Sequence, residues 1–102
     1  MLTFNVKKEW FEKIKSGEKT HEYRLANNYW NKRLYNQWDK YKLKGTGIPC
    51  CFCLGYPNKD DTTKRLYGYI TNISRLFDGL NTDLKTDREV FDIEFELIKE
   101  KI

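Results

Sequence analysis

The segment that most constrains this chain lies near its C-terminal end. Phe91, Ile93, Phe95 and Leu97 alternate with Asp92, Glu94 and Glu96. A period of two sends every apolar side chain to one face and every acid to the other. Such a segment is stable as a strand with one face against a core and one face in water. Leu2, Phe4 and Val6 show the same alternation at the start of the chain and predict a short opening strand. At Lys7 the period changes: Trp10, Phe11 and Ile14 share a helical face that runs to Ser16. Gly17 follows directly, where a helix end favours a left-handed residue. Lys19 to Leu25 predicts a second strand, which Asn27 and Asn28 break, and Trp30, Leu34 and Trp38 then recur four apart and predict a second helix.

Lys42 to Gly47 is a Lys- and Gly-rich transition, and Pro49 precedes the apolar run Cys50–Tyr56. Pro57 to Asp61 has the composition of a turn, so Asp60 and Asp61 need no further role. Arg65 to Ile73 is placed to return as the antiparallel partner of the preceding run. Phe77 to Arg88 is polar and reads as loop with a possible helical turn. The order is strand, helix, strand, helix, then three strands. Helices early and hairpins late fit an α+β class with a small curved sheet or partial barrel. A doubly wound parallel sheet would need helices between the later strands as well.

A chain of 102 residues fits a single domain over 1–102. Only 39% of it is hydrophobic, but sixteen aromatic side chains each bury a large area and make a core feasible. The mean hydropathy of −0.81 and the lack of an apolar run near the ~20 residues a span requires argue against a membrane protein. The strand pattern from Leu2 onward does not read as a signal peptide.

Three cysteines, Cys50, Cys51 and Cys53, crowd into four positions with Phe52 and Leu54 among them. Their odd number and spacing match neither a disulfide framework nor paired zinc ligands, and the lone His21 is distant in sequence. They read as small apolar residues of a buried strand, with no metal and no cofactor expected. Unpaired thiols fit a reducing compartment, so a cytoplasmic location is expected.

Net charge is +4, unevenly placed: residues 1–51 carry +6 and residues 52–102 carry −2. That asymmetry suits a face that attracts an anion, though solvated lysines alone would also produce it. The densest functional stretch is Gly17-Glu18-Lys19-Thr20-His21-Glu22-Tyr23-Arg24. On a regular strand Glu22 and Arg24 share a face, roughly 7 Å apart, with Lys19 at the rim. A carboxylate between two cations stays ionised, leaving Lys19 and Arg24 to hold a phosphate or a carbonyl. The plainer alternative is a solvated ladder of opposite charges. If these groups line a cleft with Lys19 at its mouth, Lys19→Ala is expected to spare folding but abolish ligand binding or turnover. His21 falls on the opposite face beside Tyr23 and reads as structural.

The pattern GxKxxExR after a strand and an amphipathic helix resembles the signature of ASCH domains, a branch of the PUA-like superfamily. Gly17, Lys19, Glu22 and Arg24 match it position for position, with Gly17 in a structural role. Trp10, Phe11 and Ile14 are similar to that family's first helix, Tyr29 to Leu34 to the continuation in small bacterial and phage members, and Arg65 to Ile73 to a later barrel strand. The resemblance covers most of the chain and is firmest over residues 4–35. It implies a PUA-like curved β-barrel of about five or six mostly antiparallel strands, with two or more short helices around a basic cleft. It also implies binding of RNA or a nucleotide. Some members are hydrolases, acting on RNA as ribonucleases or on acetylcytidine as amidohydrolases. In such an enzyme Glu22 and Lys19 would be catalytic, as base and as acid or oxyanion stabiliser. The acetylcytidine branch carries a Thr nucleophile where this chain has Glu22, and Thr20 points to the other strand face, so that nucleophile does not carry over. A protein-interaction module is a third possibility.

Between Tyr23 and Tyr41, aromatic residues interleave with Arg24, Lys32, Arg33, Lys40 and Lys42. Bases stack on exposed rings while nearby cations hold phosphates, which suits single-stranded RNA. Trp30 and Trp38 have helical spacing and read as core rather than as platform, Trp38 the more so. Tyr29 and Arg33, four apart on another face, are the better contact candidates. The expected binding set is therefore Lys19, Glu22, Arg24, Tyr29, Trp30 and Arg33. Tyr67 and Tyr69 share a strand face, where core packing is the plainer account.

Overall fold

The computed structural model describes residues 1–45 and 47–98. The elements run β1 (Leu2–Val6), α1 (Lys8–Ser16), β2 (His21–Leu25), α2 (Asn28–Tyr41), β3 (Ile48–Leu54), β4 (Arg65–Leu76) and β5 (Val90–Leu97), with a short 3-10 turn at Thr62–Lys64. The order matches the sequence expectation. Gly17 ends α1 at φ 85°, and its N–H donates to the Ile14 carbonyl at 3.1 Å. A side chain at this backbone angle would be strained, which is why the chain turns here into β2. Asn27 does more than break β2: its side chain accepts from the Trp30 N–H at 2.9 Å and so caps α2.

The five strands form one curled sheet in the order β1-β3-β4-β5-β2. The class is α+β, and the sheet makes a half-barrel. Every neighbouring pair is antiparallel except β1 and β3, which run parallel with Leu2 opposite Cys50. Pro49 lies just outside the stretch of β3 that β1 covers and is paired on its other side with Tyr69 of β4. β4 changes face midway. Ile70 pairs with Phe95 and Asn72 with Glu94, so Thr71 is an extra residue in a bulge. The apolar positions accordingly shift from even (Leu66, Ile70) to odd (Ile73), and all three pack against the same core. A Cβ at Gly68 would collide with the Glu96 carbonyl, so β4 and β5 approach closely only because that position is bare.

Phe4, Phe52 and Phe95 form the spine of the core, with ring centres 5.4 and 4.4 Å apart in turn. Phe11 and Ile14 of α1 and Leu34 of α2 close over it. Three expectations are corrected. Trp38 is not core: it is 44% exposed, at the rim of a shallow groove between α2 and the sheet residues Ile73 and Phe91. Tyr67 and Tyr69 are exposed on the outer sheet face. The loop between β4 and β5 has no helix, and a bridge between Gly79 and Thr86 shapes it instead. Among the described residues no helix is long and apolar enough to cross a membrane.

Candidate functional site

β1 and β2 are the two edges of the sheet, and they do not pair with each other. Its curl brings them to a seam that Arg24 spans, Nη2 donating to the Asn5 carbonyl at 3.1 Å. Trp10 of α1 and Asp83 and Leu84 of the β4–β5 loop border this seam. Together they enclose a cavity of about 220 Å³ that also touches Glu22, Tyr23 and Arg24. Asp83 is presented by a locally ordered turn in which the buried Thr82 hydroxyl donates to the Gly79 carbonyl at 2.8 Å.

Alternation along β2 turns Glu22 and Arg24 to one face, as their spacing requires. Four charges then line up with alternating sign. The Lys19 ammonium is paired with Asp83, and it lies 3.5 Å from Glu22 Oε1. Glu22 Oε2 accepts from Arg24 Nη2 at 3.1 Å, and Oε1 accepts from the Tyr23 N–H at 3.1 Å. Both Lys19 and Glu22 are buried, at 9% and 5% exposure. Lys19 is therefore not at a mouth: it is enclosed, and truncating it would strand two carboxylates. The expected excess of positive charge is confined to the exposed Lys7 on the cavity lining, because Lys19 and Arg24 each face an acid.

Aromatic rings complete the enclosure. Lys19 Nζ sits 5.3 Å from the Trp10 ring centre and 5.1 Å from that of Tyr23. The Arg24 guanidinium carbon lies 5.4 Å from Phe4 and 5.2 Å from Trp30. Such cation–π contacts gain strength as water is excluded. Arg24 Nε is buried and has no hydrogen-bond partner among the described residues, an unused donor beside the seam. Burial foremost, then the charges of Asp92, Asp83 and Glu22, raises the Tyr23 pKa, which keeps its hydroxyl a donor.

Of the residues singled out from sequence, Lys19, Glu22 and Arg24 converge. Gly17 shapes the turn that leads to them. Trp30 stacks on Phe4, ring centres 5.3 Å apart, and lies near Arg24, so its ring is engaged inside the fold. Tyr29 is 57% exposed with the Arg33 guanidinium 4.3 Å from its ring centre, and this pair forms a separate surface on α2. His21 lies on the outer face. Its Nδ1 is 2.6 Å from Asp92 Oδ1, and its Nε2 is 3.4 Å from Glu94 Oε2. Asp83 escaped the sequence reading because a single acid in a polar loop carries no periodic signal. Trp10 was visible only as a core residue of α1.

No Ser, Thr or Cys side chain lines the seam cavity among the described residues. Nor do three or more His, Cys, Asp or Glu side chains gather anywhere among them to hold a metal. The seam offers a planar guanidinium, a carboxylate and two aromatic walls, a set suited to reading a small planar polar group. No family model matches the sequence, and no curated protein and no solved structure matches it either.

Proposed function

We propose that the chain is an ASCH-like domain of the PUA-like type that binds single-stranded RNA or a nucleotide, with the base at the seam. The observation that carries this reading is the convergence of Glu22 and Arg24 on one cavity walled by Trp10 and Tyr23, with Lys19 held against Glu22 behind it. Because the buried charges at the seam pair off, its inner wall favours a neutral hydrogen-bonding group, such as a base edge, over a phosphate. A volume of about 220 Å³ suits one base-sized group and falls below the ~300–1,000 Å³ typical of drug-sized ligands. Tyr29 and Arg33 supply the complementary chemistry outside it, an exposed ring for stacking and a cation for a phosphate.

Hydrolysis is the weaker reading. Both Glu22 oxygens already accept hydrogen bonds, Lys19 is clamped between two acids, and no Ser, Thr or Cys lines the cavity among the described residues. The test is anisotropy of a labelled single-stranded RNA titrated with the protein at low and high salt, with mass spectrometry of the RNA and of added acetylcytidine. Saturable binding that weakens with salt is expected, with both additives recovered intact. Tyr29→Ala should weaken binding by about 1–3 kcal/mol if one base stacks there. An absence of binding at low salt, or binding indifferent to both Tyr29→Ala and Glu22→Gln, would overturn the proposal. Turnover lost in Glu22→Gln would replace it with the hydrolase.

A further inference from the structure

The outer face of β3 carries a second cluster that the seam does not use. Cys50 and Phe52 point into the core, so Cys51 and Cys53 point the other way. Yet they are as buried as the core itself, at 3% and 1% exposure. They lie between Thr3 and Asn5 of β1 on one side and Tyr67 and Arg65 of β4 on the other. Residues two apart on a strand begin roughly 7 Å apart. Here the two sulfurs have turned towards each other and stand 3.7 Å apart. Arg65 lies over them, with Nη1 3.2 Å from Cys53 Sγ. Its Nη2 is tied to the Pro57 and Asn58 carbonyls at 3.4 and 3.3 Å, which fixes the guanidinium in place.

Two converging thiols beneath an anchored cation make a specific donor set. Thiolates select soft ions. Zinc takes four protein ligands in a structural site, and no third His, Cys, Asp or Glu joins this pair among the described residues. Cu(I) is soft and is satisfied by two sulfurs. Two metal–sulfur bonds of about 2.3 Å span at most about 4.6 Å, so the thiols need to part by no more than roughly 1 Å. A bis-thiolate Cu(I) unit carries one negative charge, which the Arg65 guanidinium balances.

We propose that Cys51 and Cys53 form a two-coordinate Cu(I) site with Arg65 as its charge partner. Two S–H bonds break and two Cu–S bonds form. Both protons pass to solvent, and copper enters and stays as Cu(I), so no electron is transferred. Because both thiols lose a proton to the solvent on ligation, uptake tightens as pH rises.

The experiment is an anaerobic titration of the reduced full chain with Cu(I) in competition with the chromophoric chelator bicinchoninate. One equivalent per chain should be withdrawn from the chelator, with a rise in melting temperature on loading. Cys51→Ser and Cys53→Ser should each abolish this uptake, while Cys50→Ser should retain it. Arg65→Gln should weaken it about tenfold, as loss of an outer partner does at other metal sites. Circular dichroism of each variant separates lost ligation from lost folding, and the wild-type titration stands independently of them. All copper left with the chelator by the wild-type chain would overturn the proposal. So would uptake that survives the double Cys51→Ser, Cys53→Ser variant, or a chain that air converts to a Cys51–Cys53 disulfide and that takes up no copper when reduced.

Discussion

The two faces of β2 carry similar chemistry in different surroundings. Inward, Glu22 and Arg24 join Lys19 and Asp83 in an enclosed chain of alternating charges. Outward, His21 sits between Asp92 and Glu94 on a face that water reaches. The inward contacts are not all shorter than the outward ones; the Asp92 contact at 2.6 Å is closer than the 3.1 Å between Arg24 and Glu22. Their energetic weight follows burial instead. An exposed pair competes with hydration and salt, whereas a buried one leaves an uncompensated charge when either member is removed.

The largest effect expected is therefore at Glu22. Glu22→Ala removes the acid shared by two cations and should cost about 3–5 kcal/mol in denaturant unfolding. That is a large part of the 5–15 kcal/mol available to a domain of this size. His21→Ala, on the outer face, should cost about 1 kcal/mol or less. Equal losses at the two positions would break the comparison. The smallest effect belongs to Tyr23 and appears only in alkali. An unfolded tyrosine ionises near pH 10, whereas burial and three nearby acids hold the folded one above that. Above pH 10 the folded chain thus binds more protons than the unfolded one. A stabilising contribution that is whole below pH 10 is lost as pH rises through the folded value. Tyr23→Phe should flatten this alkaline decline and leave stability near neutrality little changed, as read from melting temperature against pH.

How much of this was readable in advance depends on the range of the interaction. Period and turn residues are local, so the order of elements, the α1 end at Gly17 and the shared face of Glu22 and Arg24 could be anticipated from the chain. Pairing across distance could not: nothing in Leu2–Val6 marks Cys50 to Leu54 as its parallel partner. The same holds for Asp83, which meets Lys19 across sixty-four residues. Burial was misjudged where a pattern was right but its cover was thin. Trp38 keeps its helical spacing from Leu34, but at that turn a groove separates α2 from the sheet. The cysteines show the opposite case. Their burial was readable from the apolar run, whereas the convergence of Cys51 and Cys53 depends on side-chain rotation and on Arg65 from another strand.

The strand order has a consequence for how the chain is made. Among the described residues β1 pairs only with β3, beginning at Leu2 opposite Cys50, and β2 only with β5, as far along as Glu94. A nascent chain leaving the ribosome therefore carries β1 unpartnered until about half of its length is made, and β2 until nearly all of it is. Only α1 and α2, whose hydrogen bonds are local, can form before β3 emerges. The successive strands β3, β4 and β5 then pair with short separations and supply the template on which both waiting edges dock. Folding should be limited by those two late, long-range closures, and the unpaired edges are where a stalled chain is most exposed to aggregation.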